Sequence, residues 1–232
     1  SPVRKSMIVL AVDTTGPSGS VALVEDRRLL AEAGFEAQLN HSQKLLASLD
    51  CLLKTAGRDI REVDGFAVAA GPGSFTGIRI GLATVKSFAF ASGKPVAAVS
   101  SLEALALKLR GGQARLLCPL TDAKKGEIFA ALFEAKGDSL AELLPQAAWT
   151  PDNFLARLPS KRIIHFIGTG VPVFGEKIRS YLKDKARFSR RSLFIALEVG
   201  LLGDDRLRAG KGLSAADIKP LYLRRSQAEE KH

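Results

Sequence analysis

The sequence predicts an α/β protein in which one order of elements, β-β-β-α-β-α, is laid down twice. Three observations predict it. Met7–Thr14 is a near-continuous apolar run ending at Asp13, as expected of a strand buried on both faces. His41–Ala56 carries Leu45, Leu46, Leu49, Leu52 and Leu53 at helical spacing. Arg115–Thr121 then runs into Asp122 and reopens the same order. The halves do not match in sequence, so the repeat is one of element order, and its natural packing is two related lobes with a cleft between them.

In the first half, Gly19–Glu25 and Leu29–Ala37 are strands joined by a hairpin turn at Asp26-Arg27-Arg28. The leucine helix His41–Ala56 is closed by Gly57. Phe66–Ala70 is a strand, Thr76–Ser92 a helix ended by Gly93-Lys94-Pro95, Val96–Val99 a strand and Leu102–Arg110 a helix. Gly111-Gly112 reads as a boundary, dividing a lobe of residues 7–110 from one of 111–232.

In the second half, Glu127–Glu134 and Leu140–Ala147 follow the strand at 115–121. Thr150-Pro151 starts a helix through Leu158, with Thr as N-cap and Pro at the first helical position. Ile163–Ile167 is a strand running into Gly168-Thr169-Gly170, and Pro172–Lys185 is a helix. The last helix spans Ser192–Arg208, with a small-residue face of Ala196, Val199, Gly200 and Gly203, and is a candidate to pack back on the first lobe.

Composition narrows the function classes. Hydrophobic residues make up 46% and charged residues 25% of the 232, which is globular and not disordered. Aromatics are sparse at 6%, leaving little material for a base-stacking platform. The apolar stretches 80–91 and 193–203 are interrupted by Lys86 and Glu198, short of the roughly 18 residues a spanning helix needs. No signal peptide is read in residues 1–6, which are set aside as an added or native extension. Two cysteines, Cys51 and Cys118, cannot build a disulfide framework, and a reducing, cytoplasmic address is expected. The net charge is +10, with 13 basic and 10 acidic residues up to Arg110 and 21 and 14 after it. Such a surface either attracts nucleic acid or simply keeps the chain soluble.

Three loops are candidate phosphate contacts. Gly71-Pro-Gly-Ser-Phe-Thr-Gly77-Ile-Arg79-Ile-Gly81 sits between a strand and a helix, where backbone N–H groups point at anions. It fits neither G-x-x-x-x-G-K-[ST] nor G-x-G-x-x-G, and the alternative is a tight turn whose glycines allow close packing while Ser74 caps the helix. Asp13-Thr14-Thr15-Gly16 is either a phosphate turn with Asp13 orienting a metal-bound water or an Asx turn closing a strand. Gly168-Thr169-Gly170 suits a nucleotide contact and a helix entry equally. Asp13 and Asp122 are candidates to face each other across the cleft. His41, His165 and His232 have no metal-ligand spacing, no G-x-S-x-G elbow exists, and no catalytic residue or metal ligand is assigned.

The string GPGSFTGIRIG (71–81), the opening VLAVDTT (9–15), HSQ (41–43), TDAKKGEIF (121–129) and Pro220-Leu-Tyr-Leu-Arg224 together resemble the TsaB family, also called YeaZ. The likeness runs from about Met7 to Arg224. It implies an actin-like ATPase (ASKHA) fold and a role in making threonylcarbamoyladenosine beside the anticodon of tRNA. In that pathway TsaC makes the threonylcarbamoyl-adenylate, TsaD transfers the group, TsaE is the accompanying ATPase and TsaB is a non-catalytic partner of TsaD. The His-x-x-x-His metal site of TsaD-like proteins has no counterpart in this sequence, and Thr15 stands where active kinases of the fold usually have Gly. The resemblance therefore implies no cofactor of its own, with ATP used by the complex.

The family pairs through first-lobe helices, with TsaD or with a second copy. Carried to this chain, the implied interface residues are His41, Leu45, Leu49, Leu52 and Leu53 on one helix and Phe75, Thr76 and Arg79 on the next. Asp13, Thr14, Thr15, Gly168 and Gly170 remain the candidate nucleotide loops. The expected function is a scaffold subunit acting through an interface of roughly 1,600 Å² and placing basic surface near tRNA. A small-molecule kinase using Asp13 and Gly168–Gly170 is the rival, and an autonomous tRNA-binding protein, resting on net charge alone, comes last.

Overall fold

The computed structural model describes residues 6–36, 41–111, 114–137 and 139–223. Its strands and helices are β1 (Ile8–Asp13), β2 (Ser18–Glu25), β3 (Arg28–Glu36), α1 (His41–Ala56), β4 (Gly65–Gly71), α2 (Phe75–Ser92), β5 (Val96–Ser100) and α3 (Ser101–Leu109). There follow β6 (Leu116–Lys124), β7 (Glu127–Lys136), β8 (Ser139–Trp149), α4 (Pro151–Leu155), β9 (Ile164–Ile167), α5 (Val171–Leu182), β10 (Ala186–Phe188) and α6 (Ala196–Arg208). Two compact units form, one of residues 1–101 with 194–221, the other of 102–193 with 222–232.

The first unit is built on a sheet in the order β3-β2-β1-β4-β5. β1 runs antiparallel to β2 and parallel to β4, which is parallel to β5. β1 is apolar almost throughout because both its faces are covered. Ile8, Leu10 and Val12 join a core with Leu45, Leu49 and Leu52 of α1 and Ile78, Leu82 and Val85 of α2. Against the other face lies α6, which can approach because Gly200 and Gly203 carry no side chain. A Cβ on Gly200 would stand 2.7 Å from Val24 and 3.2 Å from Ala11, and one on Gly203 would overlap Ala67.

Polar groups of the sheet receive the start of α6. The Ala196 N–H donates to the Ser20 hydroxyl at 3.0 Å and the Leu197 N–H to the Glu32 carboxylate at 3.4 Å, so strands supply the cap that α6 lacks locally. Beyond α6, Leu213 bridges Val96 through two backbone hydrogen bonds, Ile218 is fully buried, and the Leu221 N–H reaches the Ala70 carbonyl at 2.7 Å.

The second unit repeats the topology position for position, in the order β8-β7-β6-β9-β10. β6 is antiparallel to β7 and parallel to β9, and β9 is parallel to β10. Leu116, Cys118, Leu120, Ile164 and Phe166 face a core completed by Phe154, Leu155, Ile178 and Leu182 of α4 and α5. Thr150 caps α4 by accepting from the Asn153 N–H, with Pro151 at the first position as expected.

The elements differ from expectation in several places. α4 stops at Leu155 instead of running to Leu158. α5 ends at Leu182, and Lys183–Lys185 tighten into a 3-10 turn around Lys183, whose φ is +51°. α6 starts at Ala196, not Ser192, and Ile195 just before it is buried. The three-residue β10 is new: it is too short to show a period, yet it completes a second five-stranded sheet. Among the described residues, no helix is long and apolar enough to cross a membrane.

Candidate functional site

The end of β1 and the turn after β4 form one tightly packed corner of the first unit. Asp13, Thr14 and Thr15 are all buried. The Asp13 Oδ1 accepts from the Thr15 N–H at 2.9 Å and from the Thr15 hydroxyl at 2.7 Å, which is an Asx-type closure of the strand. The Thr14 hydroxyl donates to the Gly77 carbonyl at 2.7 Å, and the Ser74 N–H donates to the Thr15 carbonyl at the same distance.

The glycines of 71–81 are explained by this contact. A Cβ on Gly77 would overlap the Thr14 carbonyl, one on Gly81 the Thr14 hydroxyl and one on Gly73 the Thr15 carbonyl. Gly71, at φ +119°, gives the chain a conformation other residues rarely adopt. Ser74 accepts from the Gly77 N–H at 3.2 Å as the N-cap of α2. Close packing on Thr14 and Thr15 thus accounts for Gly73, Gly77 and Gly81, while the Ser74 N–H is taken by the Thr15 carbonyl and the Gly77 N–H by the Ser74 hydroxyl.

Burial pushes the Asp13 carboxyl up to about 6, against the two Thr15 hydrogen bonds that favour its ionised form; the Glu198 carboxylate adds a smaller push upward. Glu198, on the first turn of α6 and noted in the sequence only as a break in an apolar stretch, and Asp204, fully buried on the same helix, were not among the candidate site residues. Asp204 stands four residues after Gly200, so helical spacing puts it on the sheet-facing stripe. Its Oδ2 accepts from Arg208 at 2.8 Å, while its Oδ1 has no hydrogen-bond partner among the described residues.

In the second unit, Gly168 and Gly170 play the part that Gly73 and Gly77 play in the first. Gly168, at φ +123°, would drive a Cβ into the Leu120 carbonyl, and that same carbonyl accepts from the Gly170 N–H at 3.0 Å. Thr169 accepts from the Asp122 N–H at 3.2 Å. Partial burial raises the Asp122 pKa, but the Lys124 ammonium and the Lys124 N–H outweigh it and hold the carboxyl below its usual range. Among the described residues no group of three or more His, Cys, Asp or Glu is placed to hold a metal.

The interface expectation needs correction on α1. Leu45, Leu49 and Leu52 are 0%, 3% and 2% exposed and belong to the core over β1, so they present no surface to a partner; Leu53 is half-buried against the same cluster. The apolar stripe of an amphipathic helix faces its own sheet first. His41 begins α1, and its side chain lies outside the described residues. Phe75, Thr76 and Arg79 are exposed on α2, with the Arg79 guanidinium 3.8 Å above the Phe75 ring. Leu46, counted in the leucine stripe of α1 but not among the implied interface residues, is 52% exposed, and Phe90 on α2, which the sequence did not single out, is 86% exposed.

A family model described as TsaD, tRNA N6-adenosine threonylcarbamoyltransferase, matches residues 35–232. The chain is 30% identical over 229 residues to the tRNA threonylcarbamoyladenosine biosynthesis protein TsaB of Bacillus subtilis, covering 97% of each. YeaZ from Pseudomonas aeruginosa superposes with a TM-score of 0.81 at 28% identity, over 94% of this chain and all of that one. A ROK hexokinase from Thermus thermophilus, at 12% identity and a TM-score of 0.53 over 88% of this chain and all of that one, shares the fold alone. By fold, by length and by sequence, this chain belongs to the TsaB (YeaZ) family of tRNA threonylcarbamoyladenosine biosynthesis proteins, built on the actin-like ATPase fold.

Proposed function

We propose that the protein is a non-catalytic partner of TsaD in threonylcarbamoyl transfer, in a complex that includes TsaE and takes up tRNA, and that ATP is used by the complex rather than held as a cofactor here. The observation that carries this reading is the outer face of α1 and α2. The two helices share one core over the first sheet, yet they leave Leu46, Phe75 and Phe90 in solvent. Thr76, Ala83 and Ser87 are small and exposed along α2, so another helix can lie close against it. Large apolar side chains left exposed on an otherwise well-packed unit suit a partner helix. A second copy of the chain is the alternative occupant of the same face.

The corner at Asp13 supports the non-catalytic part of the reading. The Asp13 Oδ1 is engaged by Thr15, and the glycines of 71–81 pack on Thr14 and Thr15, so the corner is filled by the chain's own atoms. An omission assay tests the whole. TsaC, TsaD and TsaE are combined with tRNA, ATP, threonine and bicarbonate, and threonylcarbamoyladenosine is quantified with and without this protein. Dependence on the protein, with no ATP turnover by it alone, is the expected result. Full modification in its absence overturns the reading. ATP turnover by the isolated chain, lost in Asp13→Asn, would establish the kinase instead.

A further inference from the structure

Charge is unevenly divided between the two units. Residues 102–193 hold 16 Lys and Arg against 9 Asp and Glu, whereas 1–101 with 194–221 hold 15 against 13. Several bases of the second unit are matched by carboxylates: Lys124 by Asp122, Arg162 by Glu134, Lys177 by Asp152 and Lys185 by Asp184. The arginines around β10 are held differently. Arg187 donates to the backbone carbonyls of Asp184 and Ala186, and Arg191 to that of Lys108 at the end of α3. Such contacts fix a guanidinium in place without cancelling its charge. Asp184, whose charge reaches Arg187, is already paired with Lys185.

The local fold gathers these groups. β10 is the edge of its sheet, and Arg187 lies directly opposite His165 in parallel register, so both side chains leave the same face. The Ser189 N–H binds the Phe166 carbonyl at 2.9 Å and the Arg191 N–H binds the Ser189 hydroxyl at 3.1 Å, which pins the turn carrying exposed Arg190 and Arg191 to the end of β9. Aromatics are too sparse in the chain for base stacking, so the chemistry on offer is phosphate binding.

We propose that Arg187, Arg190 and Arg191, beside His165, form a surface on the second unit that binds the phosphodiester backbone of RNA without reading its bases. The choice of RNA over other polyanions rests on the tRNA-modification reading. Burial and the neighbouring Arg187 charge hold the His165 pKa below its usual value, and a phosphate seated there reverses part of that shift.

The test is fluorescence anisotropy of the full chain with fluorescein-labelled unmodified tRNA between about 50 and about 200 mM salt. Arg187→Ala/Arg190→Ala is compared with Arg28→Ala/Lys94→Ala, which removes the same charge from the first unit; Arg191 is left in place because it holds α3. The patch variant is expected to bind about fivefold weaker or worse, with its salt slope reduced by about 2, and the control to match wild type. In wild type the His165 C2 proton titrates at higher pH when tRNA is added. No salt-dependent binding by wild type, a patch variant equal to wild type, or an equal loss in the control overturns the proposal. The omission assay is run beside it. Binding by a protein that proves dispensable for modification refutes the functional reading alone, and a required protein whose patch variant binds as wild type refutes the patch alone.

Discussion

The Thr14 hydroxyl donates to the carbonyl of Gly77, while the Thr14 carbonyl occupies the space that a side chain at Gly77 would need. A residue at the end of the central strand and a residue on the first turn of α2 are thus locked by one polar contact and one steric one. Gly77→Ala sets a methyl against backbone, which cannot yield as a flexible side chain can. A loss of about 1–3 kcal/mol is expected from urea denaturation, with the midpoint lowered and the m-value unchanged.

Asp13 makes stability depend on pH in an unusual direction. Its carboxyl is raised to about 6 from an ordinary value of 3.8, so between those limits the folded state binds more protons than the unfolded. The stability it contributes is fully present below about 3.8 and is lost as pH rises to about 6, a change on the order of 3 kcal/mol. Asp13→Asn keeps an oxygen to accept from Thr15 and removes the ionisation. The variant is expected to be at least as stable as wild type at pH 7 and to lack this slope when unfolding is followed from pH 4 to pH 6.5.

Core and surface on α1 and α2 separate cleanly by substitution. Leu49→Ala or Leu52→Ala should cost about 2–5 kcal/mol, and a charged residue at both positions should unfold the chain. Leu46→Asp and Phe90→Asp should leave the melting curve of the chain alone unchanged while weakening co-elution with TsaD in size-exclusion chromatography. Retained pairing in the Leu46→Asp/Phe90→Asp double variant would move the partner to another face.

Arg208 joins the buried carboxylate of Asp204 to Asp26 in the β2–β3 turn, where Asp26 and Arg27 take left-handed backbone conformations with φ of +48° and +65°. Arg208→Met would strand the Asp204 carboxylate, with an expected loss of about 3–5 kcal/mol. Adding Asp204→Asn should recover part of that loss, and a double-mutant cycle read by thermal unfolding gives the coupling.

The strands at Met7–Thr14 and Arg115–Thr121 and the helices on either side of Gly71 were legible because burial on both faces leaves a continuous apolar run, and burial on one face leaves a period. The sense of the loops was not. GPGSFTGIRIG announces close approach, but whether the close neighbour is a phosphate or the chain's own Thr14 depends on a contact across more than sixty positions. On α1 it was the resemblance, not the stripe, that put Leu45, Leu49 and Leu52 at an interface: helical spacing is satisfied whether they meet a sheet or a partner, and only the sheet beneath them decides. Ser20 carries no local signal at all, since its role arises where α6 meets a strand laid down well over a hundred residues earlier, whereas for Asp204 the spacing from Gly200 marks a buried position without saying that a carboxylate there is held by Arg208.

That placement of α6 has a consequence for the newborn chain. While residues 1–101 leave the ribosome, the sheet face bearing Val9, Ala11, Ala67 and Ala97 has nothing to lie against, because its cover is encoded at 194–221. The first unit by chain order is therefore the last to be finished. A nascent polypeptide halted before residue 194 should present that bare face to chaperones, and the completed protein should not.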